Sequence, residues 1–200
     1  MPKIVDRAAM KARIIEAAMT AFQRHGYVSA KMTDIAEEAG LAKGTLYLYF
    51  KRKEDLTRAL VDAFFAHWEA ALSEMPAPEK VEDFAAQLRY SSLPDGQSQR
   101  EVRMFFEILG SSTGSEDLLI AVAQFQDRLG RFYAEKLDAL AEKGKLRAGL
   151  DTAATGRALA AMFDGLVLHR SLFLTDSARY VVIVDQAIGA ILSGILAEAV

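Results

Sequence analysis

Apolar residues recur along most of the chain at the three- and four-residue spacing of one helix face. The first helix carries them at positions 14, 17, 18, 21 and 22 and is stopped by His25-Gly26. Short helices are predicted at 32–40 and 43–50, with Gly40 as the stop between them. A long amphipathic helix then runs from about Glu54 to Ser73 and ends before two prolines.

Five further helices are predicted beyond these prolines. They lie near residues 80–90, 98–111, 116–143, 152–173 and 178–197, with breaks at 94–96, 110–115, 144–149 and 175–177. No segment alternates with period two for long enough to predict a strand. The pattern therefore predicts an all-α fold.

Two short helices joined by a Gly-containing turn are typical of a helix-turn-helix, here at about residues 32–50. Gly40 can adopt the positive φ that reverses the chain. One side of the pair is apolar, which suits packing on the first helix. The other side can hydrogen-bond to phosphates or base edges through Lys31, Thr33, Lys43, Thr45, Tyr47, Tyr49 and Lys53.

The charge distribution supports an anion-binding head. The formal net charge of −3 seems to oppose nucleic-acid binding, but residues 1–53 carry ten Lys and Arg against five Asp and Glu. That head has a charge of +5, and the remaining 147 residues carry −8. A chance asymmetry of solvated faces is the alternative.

One ordered run of residues carries a specific signal. The run is Ile35-Ala36-x-x-Ala39-Gly40-Leu41-Ala42-Lys43-Gly44-Thr45-Leu46-Tyr47-x-Tyr49-Phe50-x-x-Lys53-Glu54-x-Leu56, and the preceding first helix contains Ala18-x-x-Ala21-Phe22-x-x-x-Gly26-Tyr27. Over about residues 10–60 this pattern closely resembles the TetR family of bacterial transcriptional regulators. The rest of the chain matches this family in architecture.

The resemblance implies a role for each matching residue. The recognition helix would read bases and backbone through Lys43, Gly44, Thr45 and Tyr47. Phosphate contacts are implied for Tyr49 and Lys53, and a DNA contact for Thr33. The family often caps the second helix with Thr or Ser, whereas this chain has Ala30 and Lys31, so Lys31 can gain a phosphate contact and lose the cap. Ala42 likewise replaces a common Ser.

Each of these residues also has a plainer interpretation. Tyr47 and Tyr49 can be packing aromatics with solvated hydroxyls, and 51–53 can be a solvated turn. A phosphate-binding loop at 40–45 is excluded, because the glycine and lysine order is wrong and no strand precedes it.

The C-terminal body is rich in large apolar side chains. The resemblance implies that some line an effector pocket, while the plainer interpretation makes them core. The candidate ligand-binding residues are Phe65, Trp68, Leu88, Met104, Phe105, Phe125, Phe132, Phe163 and His169. Arg103 and Tyr133 are further candidates for polar anchors.

The last two predicted helices, at about 152–173 and 178–197, are rich in Ala and Gly interleaved with Leu, Ile and Val. Small residues allow close helix approach, and the resemblance implies a homodimeric four-helix bundle. Ordinary packing within one chain is the alternative.

Other chemistry finds little support. The chain has no cysteine, and its three histidines are scattered, so we expect no catalytic site, cofactor or metal. The longest uncharged run, 186–197, is too short to span a bilayer, and we expect a cytoplasmic protein with no membrane partner.

The sequence thus predicts three regions: a helix-turn-helix DNA-binding domain at 1–53, a connecting helix at 54–74, and an effector-binding and dimerisation domain at 75–200. The predicted function is a ligand-responsive repressor, released from a palindromic double-stranded DNA operator by a small lipophilic or aromatic effector. The alternative is a helical small-molecule-binding or protein-interaction module that no longer reads DNA.

Overall fold

The computed structural model describes residues 6–93, 96–111, 115–173 and 176–197. Apart from one isolated antiparallel bridge, between Leu146 and Leu196, these residues form no strand, which confirms the all-α class. Their helices are α1 (Arg7–His25), α2 (Met32–Glu38), α3 (Lys43–Tyr47), α4 (Lys53–Ser73), α5 (Val81–Ser92), α6 (Gly96–Ser111), α7 (Glu116–Glu142), α8 (Thr152–Leu172) and α9 (Ser177–Ile195).

Helix starts follow from capping chemistry. The Asp6 and Asp176 carboxylates each accept hydrogen bonds from two backbone N–H groups, at the starts of α1 and α9, and the Asp151 carboxylate accepts one at the start of α8. The predicted bounds agree with the observed helices to within about three residues, the largest difference being α3, which ends at Tyr47 where the prediction ended at residue 50. The predicted break at 94–96 ends earlier in the structure, because Gly96 already begins α6; residues 94 and 95 lie outside the described part.

The chain forms two compact units. The first comprises residues 1–67 and 104–118, and the second comprises residues 68–103 and 119–200. The sequences of α4, α6 and α7 are therefore shared between the units. The core of the first unit includes Ile14, Ile35, Leu46, Leu56 and Ile108, all fully buried. The predicted boundaries at 53 and 74 stay a prediction.

The second unit buries a different set of large side chains. Fully buried members of its core are Phe84, Leu137, Leu140, Leu159 and Val184. These come from α5, α7, α8 and α9, so four helices contribute to this core.

The backbones of α7 and α8 touch in this unit. A Cβ atom on Gly156 would lie 2.5 Å from the carbonyl oxygen of Gly130 and 2.6 Å from the backbone nitrogen of Ala134. Only a glycine fits at this crossing. The small residues of α8 therefore serve intrachain packing at this point.

One described helix, α9, has the length and apolar composition to cross a membrane, with a mean hydropathy of 1.4 over its best window. Core helices of soluble proteins pass the same test. An uncharged run long enough to span a bilayer is a stricter requirement, and α9 does not meet it, because it contains Arg179 and Asp185.

Candidate nucleic-acid interface

Helix α1 is the platform for the two short helices. It buries Ile14, Ala18 and Phe22, and α2 contributes Ile35 and Ala36 to the same core. The alanines are small, so α2 can lie close to α1. This packing leaves the opposite faces of α2 and α3 to the solvent.

The turn between α2 and α3 is closed by backbone hydrogen bonds. Gly40 adopts a φ of +61°, a conformation that residues with a side chain rarely take. The N–H of Leu41 donates to the carbonyl of Ala36 at 2.8 Å, which closes the end of α2. Arg13 of α1 also donates to the carbonyl of Ala39 at 2.5 Å. The reversal predicted at Gly40 is thereby fixed from two sides.

The starts of α2 and α3 lack side-chain caps, as the family comparison of Lys31 and Ala42 predicts. At α2, the Asp34 carboxylate accepts the backbone N–H of Lys31 at 2.8 Å, which is one half of a capping box. The Lys31 ammonium cannot supply the other half, because it has no acceptor atom. It is left exposed beside the start of α2.

The predicted DNA-contacting residues fall into two groups by exposure. Thr45 and Tyr49 are half-buried, and Lys53 is half-buried at the start of α4. The exposed members are Lys31, Thr33, Lys43, Gly44 and Tyr47.

The recognition helix α3 presents a cation and an aromatic ring together. The Lys43 ammonium lies 6.0 Å from the centre of the Tyr47 ring, and 39% of Tyr47 is exposed. Apart from the adjoining residues of its own helix, no described atom lies within 4 Å of where a Gly44 Cβ would stand, so this glycine serves no packing between elements. A bare backbone at this position lets another surface approach closely.

Lys53 has internal partners that the sequence did not indicate. Its ammonium donates to the carbonyls of Tyr27 and Ala30, the latter at 2.8 Å, and lies 3.3 Å from that of Val28. It also stands 4.4 Å from the centre of the Tyr27 ring. Burial lowers the pKa of Lys53, and nearby acids, Glu54 first, oppose that shift. These bonds use all three donors of the ammonium. A phosphate contact by Lys53 stays a prediction.

The loop before α2 is held from two further positions. Glu107 of α6 accepts the backbone N–H of Tyr27 at 2.7 Å, and the buried Thr57 hydroxyl lies 3.3 Å from the Tyr27 hydroxyl. The Gly26-Tyr27 pair was visible in the family pattern. Glu107 carried no sequence signal, because it lies 80 residues from its partner.

Two exposed apolar side chains were also missed. Leu48, directly after α3, is 74% exposed, and Val28 is 71% exposed. Leu48 is an unspecified position in the family pattern. An exposed aliphatic side chain beside a recognition helix suits contact with a thymine methyl group.

Part of the basic hinge is neutralised internally. Arg52 pairs with Asp55 at 2.9 Å, and this bond lowers the pKa of the Asp55 carboxyl. Arg24 pairs with Glu38 at 2.9 Å. Lys51 is exposed and appears in no ion pair among the described residues.

The structure divides the predicted ligand-binding residues between the two units. In the first unit, the Phe65 and Phe105 rings meet at 5.5 Å, and Met104 is buried. In the second unit, Trp68 meets Phe163 edge-on at 5.7 Å.

The remaining candidates in the second unit are less uniform. Leu88 and Phe125 are buried, and Phe132 is half-buried against Tyr133 at 5.3 Å. His169 is exposed and contacts Phe173. A ligand role for each of them stays a prediction. In the part of the chain that the structure describes, no three His, Asp or Glu residues cluster as metal ligands would.

Comparison with known proteins agrees with this geometry. A sequence profile described as "Bacterial regulatory proteins, tetR family" matches residues 14–60. A second profile, "BetI-type transcriptional repressor, C-terminal", matches residues 88–193, which is more than half of the chain.

Individual relatives cover different shares of the chain. The HTH-type transcriptional regulator TtgR of Pseudomonas putida is 28% identical over 174 residues, covering 84% of this chain and 82% of that protein. The uncharacterized HTH-type transcriptional regulator YfiR of Bacillus subtilis is 40% identical over 63 residues. This match spans 30% of the chain and 31% of YfiR.

A solved structure shares the fold over nearly the whole chain. A TetR transcription regulator from Haloarcula marismortui aligns with a TM-score of 0.83 and 15% identity, covering 95% of this chain and 100% of that one. This likeness shows the architecture.

Proposed function

Because the chain belongs to the TetR family of bacterial regulatory proteins, we propose that it is a ligand-responsive transcriptional regulator that binds DNA. More narrowly, it is a cytoplasmic repressor that leaves a palindromic operator when a small lipophilic effector binds. Its relatives are regulators rather than enzymes. The observation that carries the proposal is the exposed face of α2 and α3. It combines cations, hydroxyls and a glycine without a side chain, on helices held in place by packing against α1.

The two kinds of DNA contact fall to different residues. Lys31 and Tyr49 bind phosphates and fix the position of the head, while Lys43, Thr45 and Tyr47 read base edges in the major groove. Gly44 lets the DNA backbone approach. Lys53 acts chiefly on the loop before α2, through its carbonyl partners, and its charge attracts phosphate at the edge of the footprint without a free N–H to donate.

A two-fold dimer would supply the second recognition helix. Within the second unit, a groove of about 410 Å³ between α8 and α9 is lined by small side chains that include Ala154, Ala158 and Ala190. Apart from the adjoining residues of their own helices, Gly165 and Gly189 have no atom of the described chain within 4 Å of an added Cβ. These open faces of small residues, and the apolar character of α9, suit packing against the same helices of a second copy.

Release of DNA requires coupling between effector and head. We infer that effector binding shifts α4 and α6, whose sequences contribute to both units. Glu107 of α6 accepts the Tyr27 N–H and Lys53 of α4 holds the same loop, so a shift of either helix would move the loop before α2. A coupling of about 1–3 kcal/mol loosens DNA binding roughly 5- to 150-fold.

A gel shift with the DNA flanking the protein's own gene tests the proposal. Wild-type protein should bind one segment tightly, with an affinity that falls steeply as salt rises. Tyr47→Ala should weaken this binding roughly tenfold or more, because it removes a base contact. Tyr90→Ala is the matched control, since Tyr90 is 72% exposed in the second unit.

The proposal fails if Tyr47→Ala binds as tightly as wild type, or if binding does not depend on salt. Folded, dimeric protein that binds no segment would instead favour a module that no longer reads DNA. Sedimentation at micromolar concentration tests the dimer, and Gly165→Leu should shift it toward monomer because it fills the open face of α8.

A further inference from the structure

Polar residues from three helices of the second unit lie near one another. Ser91 of α5 and Tyr133 of α7 are buried, and Gln126 of α7 and Asp164 of α8 are half-buried. The domain core around them is apolar. Polar groups in such a place cost stability unless they are paired, so each needs a reason.

Asp164 is a carboxylate without a counter-charge. Its Oδ2 accepts a hydrogen bond from Gln126 Nε2 at 2.5 Å. Among the described residues no Lys, Arg or His forms an ion pair with it. Burial raises the pKa of Asp164 to about 6, and the Gln126 bond opposes that rise. At neutral pH the second unit thus holds an unneutralised negative charge.

Two hydroxyls near this carboxylate are unsatisfied. Tyr133 and Ser91 are 1% and 2% exposed, and neither hydroxyl has a hydrogen-bond partner in good geometry among the described residues. They are neighbours of each other, and the Asp164 carboxylate is near enough for its charge to act on Tyr133: burial raises the pKa of Tyr133, the Ser91 hydroxyl opposes the rise, and the Asp164 charge adds to it. The two hydroxyl oxygens and the carboxylate therefore offer several hydrogen-bond acceptors in one region.

Aromatic side chains lie beside part of the cluster. The Phe132 ring contacts the Tyr133 ring with centres 5.3 Å apart, and Phe163 directly precedes Asp164 in α8. Phe163 also meets Trp68 edge-on. Aromatic faces beside a carboxylate are the surroundings that organic cations prefer.

We propose that Asp164, Gln126, Tyr133 and Ser91 form the polar end of the effector site and select effectors that carry a protonated amine on an apolar body. The ammonium would donate to the Asp164 carboxylate and to the Tyr133 hydroxyl oxygen, and Ser91 would complete the shell. The apolar body would lie against Trp68 and Phe163. This inference rests on the proposed function, in which the second unit binds an effector.

A purely structural cluster explains less. An Asn at position 164 would hold Gln126 equally well without a buried charge, and the two unsatisfied hydroxyls would have no use. The second part of the chain is also acidic, with −8 over residues 54–200, which favours the approach of cations over anions.

Three probes of one size separate charge from shape: 4-phenylbutylamine, 4-phenylbutanol and 4-phenylbutyrate. Trp68 is the single tryptophan, so its fluorescence reports binding in the second unit. Wild-type protein at neutral pH should bind the amine at least about tenfold more tightly than the alcohol, and the carboxylate most weakly. This comparison needs no variant to fold.

Substitutions then identify which residues produce the preference for the amine. Asp164→Asn should weaken amine binding about tenfold and leave alcohol binding unchanged. Tyr133→Phe should weaken the amine by a smaller factor. Asp138→Asn removes an exposed carboxylate of α7 and should change nothing.

Failure of the amine to bind, equal binding of the three probes, or an amine preference that survives Asp164→Asn would overturn the inference. The gel shift is measured separately and without probe. Loss of DNA binding with the amine preference intact would contradict the proposed function, whereas intact DNA binding without that preference would contradict this inference.

Discussion

In the first unit, buried and half-buried polar groups reach partners. Lys53 bonds to carbonyls of the loop before α2, Arg13 bonds to the end of α2, and the Thr57 hydroxyl donates to the Lys53 carbonyl at 2.8 Å. The second unit differs. In the described chain, the side-chain oxygens of Gln87, Ser91, Tyr133 and Ser171 have no hydrogen-bond partner. Asp164 forms no ion pair there either, and its partner is Gln126.

This difference matches two tasks. A surface that reads DNA has to hold its side chains in one arrangement, and paired polar groups fix that arrangement. A site that accepts a small molecule needs polar groups whose partner arrives with the ligand. The second unit is nevertheless closely packed elsewhere, because Gly156 of α8 touches α7 two turns away from Asp164.

The largest expected effect tests that close packing. Gly156→Ala should lower the free energy of unfolding by about 3 kcal/mol, because the new methyl group would overlap the Gly130 carbonyl and force α7 and α8 apart. Urea unfolding measures the change. Gly110→Ala is the control at a helix position where space is open, and it should be neutral or slightly stabilising. Equal effects of the two substitutions would show that the α7–α8 contact is loose.

The second prediction concerns Lys53. Lys53→Met should lower the free energy of unfolding by about 2–3 kcal/mol, because two or three carbonyls lose a charged donor while the aliphatic stem remains. Lys51→Met removes an exposed charge of the same hinge and should change stability by less than about 0.5 kcal/mol.

DNA binding then separates the two roles of Lys53. If Lys53 also contacts a phosphate, Lys53→Met should reduce the slope of log affinity against log salt by about 0.9. An unchanged slope with weaker binding would make Lys53 a positioning residue alone. An unchanged stability would contradict the paired arrangement of the first unit.

The third prediction uses the pH dependence of stability. The folded-state pKa of Asp164 is about 6, above the value of about 4 in an unfolded chain. Between these values the folded protein keeps a proton that the unfolded chain has lost, so this group makes stability fall as pH rises from about 4 to about 6. Asp164→Asn mimics the protonated acid and should gain about 2 kcal/mol at about pH 7.5 and almost nothing near pH 4.

Thermal or urea unfolding at the two pH values measures this gain, with Asp138→Asn as the control for the general effect of removing a charge. A variant less stable than wild type at both pH values would mean that the carboxylate holds the interior together. The second unit would then, like the first, depend on a charged side chain for its stability.

Much of the architecture could be predicted, and the reason is local. Helical periodicity and the stops at Gly26, Gly40 and the prolines depend on neighbours in sequence, so they placed the helices within about three residues. Most of the exposed face of the helix-turn-helix followed from the same periodicity, although Thr45, Tyr49 and Lys53 are half-buried.

Contacts between distant residues could not be predicted. The bond of Glu107 to the Tyr27 N–H joins residues 80 positions apart, and the overlap at Gly156 depends on how α8 crosses α7. Nor could the sequence show that Asp164 is half-buried and forms no ion pair among the described residues, since an Asp on an apolar helix is usually found at its solvent edge. Whether a polar side chain finds a partner depends on how the helices pack, and the pattern of residues along the sequence does not contain that information.

The smallest expected effect tests whether the start of α2 belongs to the well-paired unit. Asp34 accepts the Lys31 N–H, and its negative charge lies at the positive end of the helix, so Asp34→Ala should lower the free energy of unfolding by about 1 kcal/mol. Glu37→Ala removes an exposed acid from the same helix and should cost less. Lys31→Ser should restore the missing cap, raise stability by about 0.5–1 kcal/mol and weaken operator binding through the lost phosphate contact. A variant that gains stability and keeps its operator affinity would remove Lys31 from the DNA surface and show that the uncapped start of α2 is not retained for binding.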